Sequence, residues 1–491
     1  MEYVLALDQG SSSTRAIVFD ERGRVAASSQ KPVRIFRPEP GWAEHDPEEL
    51  ARSAEQTLDA ALAGLPAKTQ VSGMGLSSQR STVVFWDRRT GKSLGRAPSW
   101  QDNRAAAVLA PMLDMQSDVH SRTGLYLTPY YSASKIRWML DNEPKVRRAA
   151  DAGRLCAGPV ATWLLWRLSR GEIFATDPTL AQRTLLFDIR RMDWDAELLR
   201  MFSIPREILP SVRPSACSWG TLRRKGRTFP VLAVLGDQQA AAFGQGADSE
   251  GAGVLNYGTG AFFLLHTGRS DRRVPGLLTT VALQRESSRS FFLEGTVHAC
   301  GAAFDWLSRL GFLSDVRKAD KLCAASKERV WLLPAIGGLG TPRWDYRTAA
   351  ACYGLSANTL SADVVRAAAE SIAFLVTDAV ATARAAGLDA SAGFQASGGV
   401  ARMDYLLQFQ ADLLQRPVSR LGEREATALG AASLAAETAK LPFARSLRES
   451  KPQKVFTPKI TAEKARRLHS AWLFFVESQQ KLGSRLPELL G

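Results

Sequence analysis

Apolar and polar positions fall into two similar passages along the chain. Residues 3–6 are apolar, Asp8 follows, and the polar turn Gly10-Ser11-Ser12-Ser13-Thr14 separates them from a second apolar run at 15–19. Alternation of this kind predicts a strand–turn–strand unit, with a further strand at 25–29. Residues 48–65 carry helical spacing after Asp46-Pro47, a capping aspartate followed by proline at the first helical position. Strands are predicted at 71–76 and 81–86, and helices dominate from 104 to 168, for example around 135–140 and 160–168; the apolar stretch 157–166, cut by Arg167, is read as a buried helix and not a membrane span. The second half restarts the design. A strand at 231–235 ends in Gly236-Asp237 and leads into a small-residue helix at 238–244. A strand at 253–257 then runs into Gly258-Thr259-Gly260, and another follows at 262–266. A long helix at 363–386 has apolar residues three and four apart, the strand 394–397 meets Gly398-Gly399, and 403–414 is helical. The pattern predicts an α/β protein of two related domains, 1–243 and 244–491, facing a cleft.

Composition narrows this picture. A chain of 491 residues, 45% hydrophobic and 23% charged, suits a globular protein with more than one core. The five cysteines are scattered and never form C-x-x-C, and the five histidines form no metal-ligand pair. Residues 1–20 carry no basic leader, and no apolar stretch approaches membrane-spanning length, so a reducing, cytoplasmic setting is expected. The net charge of +14 could mean nucleic acid or an anionic substrate. Its densest run, 223–227, lacks interleaved aromatic residues and is expected to be a solvated loop, so no nucleic-acid partner is expected.

Neither familiar phosphate fingerprint is present. Gly91-Lys92-Ser93 imitates the end of a P-loop, but Trp86 stands where its first glycine belongs, and no G-x-G-x-x-G follows a strand. The opening turn offers another way to hold phosphate: successive backbone N–H groups and hydroxyls, Arg15 as a cation, and Asp8 as an acid suited to Mg²⁺. A serine-rich surface hairpin fits the same residues equally well. The second turn, Asn256 to Phe263, shifts the balance towards a nucleotide held from both sides. In "VLGDQQAAAFGQ", Asp237 ends a strand where it can accept a hydroxyl proton during phosphoryl transfer. Its plain alternative is an N-cap for the following helix. Gly398-Gly399 leaves room for a flat base or ribose against the backbone, or packs a strand closely on its helix.

Taken together, "ALDQGSSSTRAIVFD", "PGWAEHDPEE", "SSQRSTVVFWD", "SWQDNR", "PYYSASKIRWMLDN", "GDQQAAAFGQ", "NYGTGAFF", "PAIGGLGTPRWD" and "EATALGAASLAA" resemble the FGGY carbohydrate kinases, and within them the glycerol kinase branch. The resemblance runs in order from residue 3 past residue 435. It implies two actin-like, ribonuclease H-like ATPase domains with ATP and Mg²⁺ in the cleft, and a small polyol as the other substrate. Carried over position by position, it makes Asp237 the catalytic base and Asp8, with Asp237, the metal-associated acid. Ser11, Ser12, Ser13 and Arg15 become the first phosphate hairpin, and Gly258 and Thr259 the second. Gly301, Asp305, Gly399 and Met403 fall on the adenosine side. Arg80, Ser81, Trp100, Tyr130, Gln238 and Phe262 fall in the polyol pocket. Three departures stand out. Ser81 replaces a glutamate that binds glycerol hydroxyls in the family. Met403 replaces an adenosine-side asparagine, and Asp305 a glutamine. Residues 220–227 lack the glycine-rich run that binds fructose bisphosphate in bacterial relatives. The resemblance therefore implies an ATP-dependent kinase acting on glycerol, with erythritol, xylulose or ribulose as alternatives. An actin-like ATP sensor without transfer is a reading of another class. A homo-oligomer is left open.

Overall fold

The computed structural model describes residues 2–66, 69–422, 425–448 and 452–490. Two mixed sheets organise it. The first has six strands in the order Ala216–Arg224, Arg227–Gly236, Val71–Ser78, Tyr3–Gln9, Ser13–Asp20 and Val25–Pro32. Tyr3–Gln9 pairs antiparallel with Ser13–Asp20 on one side and parallel with Val71–Ser78 on the other. The second has seven strands: Leu278–Gln284, Arg289–Val297, Ala261–His266, Gly253–Tyr257, Phe394–Ser397, Val418–Arg420 and Lys454–Phe456. Gly253–Tyr257 occupies the same topological place, antiparallel to Ala261–His266 and parallel to Phe394–Ser397. Each sheet thus begins with a hairpin whose first strand continues into a parallel layer, and the two polar turns of the sequence are those hairpins.

Helices cover both sheets. Pro47–Ala63 starts at the expected cap, with Asp46 accepting from the Glu48 N–H. Its buried Leu50, Ala54, Leu58 and Ala61 recur at three and four residues and face the first sheet. Ser361–Ala385 does the same for the second sheet through Val365, Ala368, Ile372 and Val376.

The helix Ala426–Thr438, which follows the second sheet's parallel strands, packs on the first sheet and on the helix Asp237–Gly244. Its small residues permit this. A Cβ on Gly430 would lie 1.8 Å from the Ala240 carbonyl oxygen, and one on Gly75 would lie 2.0 Å from the Ala431 oxygen. The "TALGAASLAA" run is therefore a seam between the halves. No helix among the described residues is long and apolar enough to cross a membrane.

Three local expectations are corrected. The buried stretch 157–166 is not helical throughout: Leu155–Pro159 pairs with Val83–Asp87 as a strand, while the helix expected around 160–168 is found at Val160–Leu168. Pro159 has no N–H to donate to a continued helix, and it sets the break. Asp237 is not the N-cap but the first helical residue, because the extended Gly236 takes the cap position. The basic run 223–227 is a hairpin tip, but not a freely solvated one. Arg224 pairs with Asp59 at 3.0 Å, and Arg227 donates to the carbonyls of Leu65 and Pro66.

Candidate active site

The strands Val71–Ser78 and Arg227–Gly236 lie side by side and in parallel, so their C-terminal ends deliver Gln79-Arg80 and Asp237 to the same edge. Gly236 makes the approach possible, since a Cβ there would sit 2.8 Å from the Arg80 side chain. Arg80 is buried, with Nε 3.5 Å from Asp237 Oδ1 and Nη1 3.6 Å from Glu294 Oε2. Arg183, also buried, pairs with the same Glu294 oxygen. Glu294 belongs to the strand Arg289–Val297 of the second sheet, so these ion pairs cross from one half to the other.

Above this floor lies a cavity of about 430 Å³. Of the expected polyol residues, Arg80, Trp100, Tyr130, Asp237, Gln238 and Phe262 line it; Ser81 does not. The Trp100 and Tyr130 rings meet at 5.4 Å and form an apolar wall. Ser11 of the first hairpin and Thr259 of the second open onto the same space. The Trp100 indole N–H donates to Ser11 Oγ at 2.8 Å, linking the aromatic wall to the hairpin. Ser81 sits beneath the lining, in the left-handed region at φ 64°, with its buried hydroxyl unpartnered. Its carbonyl accepts from Ser132 Oγ.

Electrostatics follow from depth. Burial raises the Asp237 pKa, and the Arg80 guanidinium opposes the rise. About 35% of its side-chain surface still opens onto the cavity. Burial pushes Asp8 up to about 7 against a hydrogen bond from Ser77, and the Asp237 charge adds to the rise. Burial also acts to raise Glu294, but Arg183 and Arg80 outweigh it and hold the acid below the usual range. Asp8 stands at the end of the strand Tyr3–Gln9 and Asp237 just past the end of Arg227–Gly236, and carboxylate oxygens are the kind of ligand that Mg²⁺ takes. Among the described residues no cluster of three or more His, Cys, Asp or Glu side chains exists, so water and phosphate oxygens would complete the shell.

The remaining expected residues divide. Ser12 and Ser13 lie in the first hairpin, whose turn is closed by Gly10 N–H donating to the Ser13 carbonyl. Arg15 is paired with Glu425. Gly258 meets Gly301 directly, the Gly301 N–H donating to its carbonyl at 2.9 Å. A Cβ on Gly399 would meet nothing within 4 Å, which leaves its surface open. Asp305 is exposed on the helix Gly301–Arg309. Met403 is buried in the second core, at the start of the helix Asp404–Leu414.

Arg183, Glu294, Thr128 and Tyr131 also line the cavity and were missed by sequence reasoning. A signal existed for Glu294, an acid set inside the apolar strand run Phe291-Phe292-Leu293.

Comparison with known proteins agrees with this geometry. Residues 3–244 match the N-terminal domain, and residues 253–439 the C-terminal domain, of the FGGY family of carbohydrate kinases. The chain belongs to that family and is a kinase. It is 44% identical to a glycerol kinase of Thermus brockianus over 444 residues, covering 88% of this chain and 89% of that one. It is 41% identical to a glycerol kinase of Alkalilimnicola ehrlichii over 488 residues, covering 96% and 97%. Among solved structures it resembles Plasmodium falciparum glycerol kinase with ADP, at TM-score 0.91 and 30% identity over 98% of each chain. A xylulose kinase of Rhodospirillum rubrum shares the fold at TM-score 0.87 and 23% identity over 98% of this chain and 100% of that one.

Proposed function

We propose that the protein transfers the γ-phosphoryl group of ATP to a primary hydroxyl of glycerol, giving sn-glycerol 3-phosphate, as a cytoplasmic enzyme. The observation that carries the reading is Asp237, buried at the floor of a cavity walled by both sheets and open to that cavity on one side. A carboxylate made more basic by burial suits removal of a hydroxyl proton at the moment of attack. Arg80, Tyr130 and Gln238 orient the polyol, while Trp100 and Phe262 cover its carbon chain and exclude water. Ser11–Ser13 and Gly258-Thr259 grip the phosphates from opposite halves, and Gly301 and Gly399 border the adenosine. Asp8 and Asp237 would hold Mg²⁺, which when bound offsets phosphate charge. The two domains 1–243 and 244–491 act as the jaws of the cleft.

Asp237→Asn tests the base. We expect turnover to fall by roughly 10²–10⁴ in a protein that still folds and binds ATP, with a lower melting temperature because Arg80 loses a charge partner. Near-wild-type turnover in a folded variant would remove the assignment.

A second reading, a kinase of a longer polyol, is favoured by one feature. Ser81 leaves the lining without the family glutamate, and a second cavity of about 670 Å³ shares Trp100, Thr128 and Tyr130 with the first. Coupled ADP-release assays on glycerol, erythritol, xylulose and ribulose separate the two. Higher kcat/KM for any substrate other than glycerol would replace the first reading.

A further inference from the structure

The polyol cavity holds a carboxylate whose work is not yet accounted for. Among the described residues lining the cavity, the acids are Asp237 and Glu294. Asp237 serves one hydroxyl, the one that attacks. A triol brings further hydroxyls, each needing an acceptor once water is excluded. Position 81 supplies none, because Ser81 is recessed beneath the lining with its hydroxyl sealed in.

Glu294 has the geometry to fill that need. Its Oε2 takes the Arg183 hydrogen bond and faces Arg80. Its Oε1 has no hydrogen-bond partner among the described residues, and Glu294 lines the cavity although only about 1% of its side chain is exposed. The two guanidiniums fix the carboxylate plane and leave this one oxygen free.

The place of Glu294 in the fold is equally specific. The floor of the cleft is stitched shut close to it. The Gln182 amide donates to the Thr123 and Thr279 carbonyls at 2.7 Å each and accepts from the Val281 N–H at 2.8 Å. The Gln239 amide donates to the Val281 carbonyl. The bonds to Thr279 and Val281 join the two halves at the strand Leu278–Gln284, which pairs with Arg289–Val297. Glu294 is therefore held beside Arg80 by bonds between the halves, although it comes from the opposite sheet.

We infer that Glu294 is a substrate-binding, specificity-determining residue whose Oε1 accepts a hydrogen bond from a non-reacting hydroxyl of the polyol, and that the same carboxylate positions Arg80. The inference rests on the polyol-kinase reading above and adds the residue by which the enzyme requires a second or third hydroxyl. A site built to bond a hydroxyl rejects the analogue lacking it, because the buried acceptor is then left unpaired.

The test uses the full-length enzyme with glycerol, 1,2-propanediol and 1,3-propanediol, each diol lacking one hydroxyl. Wild type should prefer glycerol strongly over at least one diol. In Glu294→Gln, kcat/KM for glycerol should fall tenfold or more, mainly through KM. The value for the disfavoured diol should hardly move, so that the preference collapses, with KM for ATP unchanged. Glu294→Asp keeps the charge for Arg80 and Arg183 but withdraws the oxygen by one methylene. It should show the same collapse at near-wild-type melting temperature, and it serves if the glutamine variant does not fold. Equal losses on all three substrates, or no loss, would overturn the inference and make Glu294 a structural counter-ion only. Wild type failing to phosphorylate glycerol at all would overturn the polyol-kinase reading itself, and this inference with it.

Discussion

At the scale of single residues, the site is governed by where burial leaves charge. Arg80, Arg183, Asp237 and Glu294 form two cations and two anions at the base of one cavity. Breaking one partner of such a buried set leaves an uncompensated charge, which costs far more than an exposed ion pair is worth. Ser81 is the residue that departs from this economy of pairs. It holds a left-handed φ of 64° with a buried, unpartnered hydroxyl. A non-glycine residue in that region costs of order 1–3 kcal/mol and persists where surrounding structure imposes it. Here the backbone is held by Ser132 and by the neighbouring Gln79–Thr82 hydrogen bond. Ser81→Glu would send a carboxylate from this fixed backbone towards the cavity. A hydrogen bond to a charged group contributes about 1.5–3 kcal/mol, so kcat/KM for glycerol should rise by roughly tenfold or more in the coupled assay. A fall in glycerol activity, with activity on a longer polyol lost in parallel, would instead support the second reading.

At the scale of elements, several motifs turn out to buttress the pocket rather than line it. The helix Ser132–Asn142 turns Lys135 inward, and its ammonium donates to the carbonyls of Pro129 at 2.8 Å, Tyr130 at 2.6 Å and Tyr131 at 3.3 Å. Three carbonyls gathered on one buried cation fix the loop that carries Tyr130 into the cavity. Lys135→Met removes all three donors. We expect a higher KM for glycerol, an unchanged KM for ATP, and a lower melting temperature, read from steady-state kinetics and thermal unfolding. The Pro-Gly-Trp and Trp-Gln-Asp-Asn-Arg stretches meet in the same support. Arg104 stacks 3.6 Å from the Trp42 ring, Trp42 meets Trp138 edge-on at 5.4 Å, and Arg104 pairs with both Glu44 and Asp102. This cluster lies directly behind Trp100 in the chain. The helix spacing, the Asp46-Pro47 start and the strand–turn–strand units were readable from the sequence because they depend on local periodicity and capping. The strand Leu155–Pro159 and the docking of Arg224 and Arg227 were not, because each depends on a partner far along the chain.

At the scale of the whole molecule, two sheets of matching topology are joined by a stitched floor and by the small-residue helix Ala426–Thr438. The seam also carries a titratable group. His266 ends a strand of the second sheet, and its Nδ1 accepts from the Gly268 N–H while its ring packs edge-on against Phe292. Burial lowers its pKa to about 4, with Asp248 opposing and Arg285 adding to the shift. An imidazole that stays neutral when folded but takes a proton when unfolded makes stability fall as pH drops. The loss should run from about pH 6.5 down to about pH 4 and reach up to about 3 kcal/mol. Denaturant unfolding at pH 7 and pH 5 checks this: in His266→Gln the loss of stability between the two conditions should be smaller than in wild type, other groups that titrate in this window keeping their own contributions. An unchanged difference would assign acid sensitivity to other groups.

Local pattern was enough to mark the main elements, the repeated hairpin plan, and Asp8, the two polar turns and Asp237 as candidate chemistry. Arg80, Trp100 and Tyr130 came forward through the resemblance to the FGGY kinases. Which of these residues share a cavity, and what else enters it, depends on how the two sheets pack. Met403 proved to be core and Ser81 to lie under the lining, because burial depends on packing that no local period encodes. Arg183 and Glu294 entered the site because a strand of the second sheet crosses over the floor of the first. An ion pair between residues 111 positions apart leaves little mark in the sequence: Glu294 follows the apolar Phe291-Phe292-Leu293, and Arg183 stands between the polar Gln182 and Thr184.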